Sequence, residues 1–428
     1  MGKPKIIIVG GGFAGCAASV AAAKAGAEVL LLERTDMLIA GGIRAGRMNF
    51  NGKLVAAEEA KALGGGEIFE SLESIILHRG NIVDELHGYI YNTAIAEPVV
   101  RRAVEKAGVK LNTCVRITGV KKDSRRIVAV IAEDGSRYSG DAFIDATGTF
   151  GGVAVCKKWG KGCVMCAGFR CMTFGDRVSV ATKAGAEEFM RYRPDGTPGV
   201  MGAAITIHKS SLNSTLKNKL EQEGAVSVPL PAGLIDYSKQ QKIGGIRSRK
   251  QMEFINIVDI GVSAKCVGIG YLTLDDLRTV PGLEEAIIED PLGGGLYNNI
   301  NKVSMSPRDD GLLAKGFENL FLAGEKAGPG TGIAEVLVTG ALSGYNSVRK
   351  ALGMDPLVLP SGTAIGDFIA FTGEMMELPG GLKEGYSFAH GTYFERMKSM
   401  NLYNPDPNAA YARIKGLGLS GILEKRLV

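Results

Sequence analysis

The chain has 428 residues, 45% apolar and 22% charged, with a formal net charge of +5 spread along its length. That is the balance of an ordinary globular protein, long enough for two or three domains and a large core, and the charge by itself does not indicate nucleic acid. Its 60 glycines are scattered rather than periodic, which points to tight turns and close backbone approaches to a ligand.

The first apolar run begins by residue 5, so a signal peptide is not expected. No uninterrupted apolar stretch approaches the ~20 residues of a membrane span, so a cytoplasmic protein is expected. Met1-Gly2 opens like an acylation site, but Ile6 stands where Ser or Thr is wanted. Seven cysteines, an odd number in a chain without an export signal, argue for reduced thiols rather than a disulfide frame.

Lys5-Ile-Ile-Ile-Val9, Gly10-Gly-Gly12-Phe-Ala-Gly15 and Leu31-Leu32-Glu33 together predict a βαβ unit: a buried parallel strand, a glycine turn, a helix over Ala14 to Ala25 and a second strand. Gly10 permits the sharp turn, Gly12 lets a pyrophosphate approach bare backbone, and Gly15 lets the helix pack close to the strand. The helix N-terminus offers free N–H groups and partial positive charge to two phosphates. Glu33 follows Gly15 by 18 residues, where a carboxylate accepts both ribose hydroxyl hydrogens of a bound dinucleotide.

The segment from Arg34 through Thr35-Asp36 to Ile39-Ala-Gly-Gly-Ile-Arg44-Ala-Gly-Arg47 is placed to return along the cofactor. Arg34, Gly41, Gly42 and Arg47 are its binding candidates, against the plainer reading of an exposed basic loop. Glu67 to His78 and Pro98 to Ala107 read as amphipathic helices, the second ended by Gly108. Short alternating runs at Lys110 to Val115, Gly119 to Lys121, Arg126 to Ala132 and Arg137 to Ser139, with turns at Asp123-Ser124 and Asp134-Gly135, predict a β-meander. It leads to Ala142-Phe-Ile-Asp145-Ala-Thr-Gly148, a buried strand stopped by small residues.

Residues 153 to 309 lack a second dinucleotide fingerprint. Their strand-like runs (Ala203 to His208, Glu253 to Asp259, Val267 to Leu272) alternate with polar helices, as in a mixed-sheet substrate domain. Trp159-Gly-Lys-Gly-Cys163-Val-Met-Cys166-Ala-Gly-Phe-Arg-Cys171, with Cys156 before it, brings thiols and basic residues together. Cys163 and Cys166 are candidates for a redox dithiol; zinc or iron–sulfur ligation and plain core packing stay open. His208 on its alternating strand and Arg308 in Met305-Ser-Pro-Arg308-Asp-Asp are candidates for proton transfer and for holding a substrate carboxylate. The alternatives are a hydrogen-bonded core histidine and a salt bridge from Arg308 to Asp309 or Asp310. Tyr271 and Arg247 are weaker candidates in the same insert.

Asn319-Leu-Phe-Leu-Ala-Gly-Glu325, the loop Lys326-Ala-Gly-Pro-Gly-Thr-Gly332 and an apolar helix to about Lys350 aim a second helix N-terminus at the site. With this segment, the motifs Gly10–Gly15 plus Glu33, Asp145-Ala-Thr-Gly148 and Leu320–Glu325 through Gly344 together resemble the FAD-dependent oxidoreductases of the glutathione-reductase-like superfamily, in the branch with one dinucleotide fold and an inserted substrate domain.

That resemblance implies an α/β architecture: a doubly wound, Rossmann-like FAD-binding domain with a β-meander, plus an inserted mixed α+β substrate domain. The expected boundaries are 1–152 and 310–355 for the FAD domain, 153–309 for the insert and 356–428 for an aromatic-rich tail. The tail would cap the site, bury itself on a second subunit or pack on its own domain.

FAD would be held by Gly10, Gly12, Phe13, Ala14 and Gly15 at the pyrophosphate and Glu33 at the adenosine ribose. Val115 would reach the adenine through its backbone, and Ala146, Thr147 and Gly148 would line the adenosine side. Gly324 and Glu325 would hold the ribityl chain, and Gly332 and Ile333 would face the pyrimidine edge of the flavin. Negative charge at flavin N1 and C2=O would be stabilised by that helix N-terminus.

The activity implied is hydride transfer between a small organic substrate and flavin N5, with electrons exchanged with a separate acceptor or donor. No metal, no membrane span and no nucleic-acid partner is expected; a homo-oligomer is compatible. Gly330-Thr-Gly-Ile-Ala-Glu335-Val-Leu-Val-Thr-Gly340 also resembles the C-terminal flavin motif of flavoproteins that modify transfer RNA. RNA modification is therefore the alternative, with Arg247-Ser-Arg249-Lys250 the densest basic run, and a non-catalytic electron-transfer subunit is the other.

Overall fold

The computed structural model describes residues 2–40, 47–49, 51–79, 88–148, 179–192, 196, 199–201, 204–239, 249–261, 263–267, 271–289, 300–301, 303–389 and 391–428. The Cys156–Cys171 cluster, Gly41, Gly42 and Arg247 lie outside them.

The chain opens with β1 (Lys5–Val9), α1 (Phe13–Lys24) and β2 (Glu28–Leu32). Ile6, Ile7 and Ile8 have no exposed surface, because both faces of their sheet are covered. Next come β3 (Arg47–Asn49), α2 (Asn51–Leu63), α3 (Glu67–Glu73), β4 (Ile76–Arg79), β5 (Gly88–Tyr91) and α4 (Thr93–Lys106). The helix expected to reach His78 stops at Glu73. From Ile76 the side chains alternate between half-buried and exposed, the period of a strand, and β4 pairs antiparallel with β5. Helix α4 begins ahead of Pro98, where the Asn92 side chain accepts from Ala94 N at 3.0 Å and fixes the start.

Then follow β6 (Lys110–Asn112), β7 (Ile117–Asp123), β8 (Arg126–Ala132), β9 (Arg137–Ser139) and β10 (Ala142–Asp145). The meander is β7-β8-β9 alone. Lys110–Asn112 instead extends the parallel sheet beside β2, where the carbonyl of Asn112 accepts from Glu33 N at 3.0 Å.

The middle of the chain holds α5 (Val180–Ala184), β11 (Phe189–Met190), β12 (Val200–Met201), β13 (Ala204–His208), α6 (Ser214–Glu223), β14 (Ala225–Pro229), β15 (Phe254–Asp259), β16 (Ser263–Val267), α7 (Leu274–Leu277), β17 (Ile300–Asn301) and β18 (Ser304–Met305). Four of these strands form an antiparallel sheet in the order β13-β16-β15-β14, over a separate core of Ile205, Ile207, Leu220, Ile255 and Ile257. The strand expected at Val267 to Leu272 lies earlier, at Ser263–Val267. There Ala264 and Cys266 bury one face while the backbone pairs with β13 on one side and β15 on the other.

The chain closes with β19 (Leu320–Leu322), α8 (Ile333–Ala351), α9 (Ala364–Glu377), α10 (Gly391–Ser399) and α11 (Pro407–Gly416). Strand β19 joins the main sheet, whose order β19-β10-β1-β2-β6 is parallel throughout. Helix α8 packs on α1 through Gly340 and Gly344, four positions apart and so on one face. A Cβ at these glycines would lie 2.3 Å from Ala14 O and 2.1 Å from Ala18 O.

Aromatics of the tail join the main core. Phe368, Phe388 and Tyr393 are buried in the main core, with the Phe368 and Phe388 rings 4.4 Å apart. The backbone of the tail does reach the loop before α8, where Tyr386 O accepts from Thr331 N at 2.9 Å.

Candidate cofactor and substrate site

Strand β1 ends in a turn that only glycine can make. Gly10 has φ +106°, and a Cβ there would sit 2.5 Å from Ala146 O. A Cβ on Gly15 would come 1.8 Å from Gly10 O, so helix and turn touch backbone to backbone. Gly12 is different: it precedes α1, no side chain caps the helix, and a Cβ there would meet no atom within 4 Å. The free N–H groups of the first turn therefore face space rather than protein.

On the neighbouring strand the Asp145 carboxylate is fully buried and shapes the next turn. It accepts from Thr147 N at 3.1 Å, Thr147 Oγ1 at 2.6 Å, Ser179 Oγ at 2.7 Å and Ala181 N at 2.9 Å. Asp145 is thus the clasp that fixes Ala146–Gly148. Glu33, after β2, accepts from Gly11 N at 2.7 Å and from Thr35 N and Oγ1 at 2.8 and 2.9 Å, which orients its carboxylate beside the glycine turn.

From the other end of the chain, Gly324 (φ +65°) follows β19, and Gly332 (φ +125°) precedes α8, again with no side-chain cap. The Gly324 N–H donates to Thr339 Oγ1 at 3.0 Å, which ties the strand end to the helix.

These turns enclose a cavity of about 390 Å³. Its walls bring together Gly10, Gly12, Phe13, Ala14, Glu33, Arg34, Val115, Ala146, Thr147, Gly148, Gly324, Glu325, Gly332 and Ile333. Gly15 stays behind the turn in its packing role. Arg47 lies on β3. Sequence reasoning passed over Arg116, Ile117 and Val336, which also line the walls; they carry no motif and arrive with Val115 and Ile333. The fit to an adenine dinucleotide rests on chemistry present here. Two uncapped helix N-termini open on one cavity, the bare backbone at Gly12 leaves room for a pyrophosphate, and a carboxylate stands at the end of β2.

Of the four catalytic candidates, His208 and Arg308 are among the described residues, and neither lines the cavity. Cys163 and Cys166 lie outside the described residues. His208 is exposed on β13, away from the cavity walls. Arg308 is buried and spends its guanidinium on the fold. It donates to Ala327 O at 2.9 Å, Ile369 O at 2.6 Å, Thr372 Oγ1 at 3.0 Å and Asp310 Oδ1 at 3.2 Å. The ion pair with Asp310 is present, joined by four further acceptors that include Asp309 O at 3.3 Å. Tyr271 is buried and donates to Leu234 O at 3.2 Å.

Arg191 carries no sequence signal and was not anticipated. It follows β11, is 2% exposed, and burial pushes its guanidinium down to about 10 despite the pull of Glu325. Its Nη1 and Thr331 Oγ1 are each 2.5 Å from where a Gly385 Cβ would stand, so the guanidinium lies beside the loop that opens α8.

Residues 5–155 match the family model described as FAD dependent oxidoreductase, and residues 273–355 match that of Glucose inhibited division protein A. The methylenetetrahydrofolate–tRNA-(uracil-5-)-methyltransferase TrmFO of Caldicellulosiruptor bescii is 35% identical over 94 residues, 22% of this chain and 21% of that protein. The tRNA uridine 5-carboxymethylaminomethyl modification enzyme MnmG of Alkaliphilus metalliredigens is 37% identical over 83 residues, 19% of this chain and 12% of that protein. The matched stretches therefore span about a fifth or less of these curated relatives. Among solved structures, Aquifex aeolicus GidA superposes with a TM-score of 0.68 at 16% identity, over 98% of this chain and 74% of that one, a likeness of fold. Among the described residues no helix is long and apolar enough to cross a membrane.

Proposed function

Because its nucleotide-binding part is that of the FAD-dependent oxidoreductases and its cofactor is FAD, we propose that this chain is a redox flavoenzyme that modifies a uridine of transfer RNA. The observation that carries this reading is the match of residues 273–355, which include the flavin-side strand and all of α8, to the Glucose inhibited division protein A model. Two relatives that bear tRNA-uridine modification in their names add to it. In the middle sheet's surroundings, the Arg249 guanidinium lies 4.1 Å over the Tyr237 ring, with Arg249 and Lys250 both exposed. A basic and aromatic surface of that kind suits a nucleic acid. The reading reverses the expectation that RNA is no partner.

FAD supplies hydride exchange at N5 when bound. The N–H groups after Gly12 would hold the pyrophosphate, Glu33 the adenosine ribose, and Gly324 with Glu325 the ribityl chain. The α8 N-terminus at Gly332 and Ile333 would stabilise negative charge at the pyrimidine edge. Placement in the glutathione-reductase-like superfamily with an insert at 153–309 is our reading of the same motifs. The test is incubation of FAD-loaded protein with unmodified tRNA, a nicotinamide reductant and a folate one-carbon donor, followed by mass spectrometry of the nucleosides. A uridine mass increase and salt-sensitive tRNA retention are expected. Unaltered uridine together with no retention at low salt would overturn it.

A second reading, hydride exchange with a small organic substrate, is favoured by the orphan donors of buried Arg191. Anaerobic bleaching of the flavin by one member of a metabolite panel, in protein that retains no RNA, would establish it in place of the first.

A further inference from the structure

We propose that Arg191 is the anchor of an anion subsite beside the cavity, next to its flavin end, which holds the carboxylate of a small organic ligand against the loop that opens α8. The proposal deepens the flavin-site reading and rests on its assignment of the α8 N-terminus to the flavin end.

A guanidinium has five N–H donors, and burial makes each unpaired one costly. Arg191 is 2% exposed, yet its Nε and Nη1 have no hydrogen-bond partner among the described residues. Arg308 shows what a structural arginine looks like in this fold: equally buried, with its donors shared among carbonyls, a hydroxyl and a carboxylate. Glu325 and Glu384 attract Arg191 through space and keep it charged.

The surroundings of the orphan donors point to an anion. Nη1 lies within about 5 Å of Thr331 Oγ1, since each is 2.5 Å from the place of a Gly385 Cβ. Thr331 directly precedes Gly332, the uncapped start of the 19-residue α8. Two open N–H donors of a full positive charge and a helix N-terminus therefore converge beside Thr331, whose own hydroxyl donates to Tyr386 O at 3.3 Å. The dinucleotide phosphates are not this partner. Arg191 does not line that cavity, whose own walls carry the glycine turn at Gly10–Ala14 that offers N–H groups to a pyrophosphate. A Cβ at Gly385 would stand 2.5 Å from Arg191 Nη1, so the guanidinium packs directly on the tail backbone there.

The test is calorimetric titration of the purified full chain with acetate, malonate, succinate and inorganic phosphate, repeated on Arg191→Met and Arg191→Lys. FAD content and melting temperature are measured on each variant. Wild type is expected to bind at least one carboxylate saturably, with affinity at least about tenfold weaker in Arg191→Met and an intermediate loss in Arg191→Lys. In FAD-loaded protein the same titration should perturb the visible flavin band. Failure of the wild type to bind any carboxylate, or equal binding by a folded Arg191→Met, would overturn the proposal. A lowered flavin midpoint potential in Arg191→Met without carboxylate binding by the wild type would overturn it too, and would make the flavin's own pyrimidine edge the partner. Calorimetry reads the anion without flavin or RNA, so a failure of the tRNA reading leaves this result standing.

Discussion

Gly340 on α8 lies directly over the carbonyl of Ala14 on α1, where a Cβ would come within 2.3 Å of the oxygen. The two helices that aim their N-termini at the cavity are thus braced against each other, one from each end of the chain. Gly340→Val should force them apart and cost about 1–3 kcal/mol of stability or more. It should also weaken FAD retention, because both N-termini shift. Thermal melts with and without added FAD check this; a variant with unchanged melting and FAD affinity would show that the brace does not set the site.

Gly10 and Gly12 stand two residues apart and predict opposite failures. A Cβ at Gly10 strikes Ala146 O at 2.5 Å, whereas one at Gly12 meets nothing within 4 Å. Gly10→Ala should therefore lower the melting temperature of the FAD-free protein. Gly12→Val should leave that melting temperature nearly unchanged and abolish FAD binding, since its side chain enters the space of the pyrophosphate. Melting of stripped protein and FAD titration separate the two.

Arg308 is predicted to act on stability rather than on the reaction. Arg308→Met leaves the carbonyls of Ala327 and Ile369 and the Thr372 hydroxyl without their donor. The expected loss is about 1–3 kcal/mol, on the scale of leaving buried acceptors without a donor. Denaturant unfolding measures it. A stable variant with normal FAD content and no turnover would restore the catalytic reading.

Glu59 gives the fold a pH dependence. Its buried carboxylate accepts from Ala364 N and Ile365 N at 3.0 Å each and from Arg413 Nη1 at 2.7 Å, capping α9. Burial nonetheless raises its pKa above the ordinary 4.5, the hydrogen bonds offsetting only part of the desolvation. The unfolded chain releases this proton first, so the contribution to stability is complete below the ordinary value and is lost as pH rises through the folded value. Stability of wild type relative to Glu59→Gln should therefore fall from acid toward neutral pH. A rise across that range would reverse the sign assigned here.

The nucleotide-binding frame was legible because its signals are local. A β-branched run with no polar break, glycines at turn positions and Glu33 after β2 each depend on a few neighbouring residues. Helix α3 and strand β4 were misjudged as one helix because Glu67 to His78 carries apolar residues compatible with both periods, and pairing with the distant β5 decided between them. Lys110–Asn112 was assigned to the meander for the same reason: its partner, β2, is remote in sequence. Arg191 had no signature at all. Its burial depends on Gly385 and Thr331, nearly 200 and 140 positions away, and only the fold brings them to it.

The account stands on one nucleotide gripped between the start of α1 and the start of α8. The direct test is the visible spectrum and the FAD-to-protein ratio of the chain after incubation with excess FAD and gel filtration. A yellow protein with about one FAD per chain is predicted. Folded protein that emerges colourless and free of FAD would contradict it.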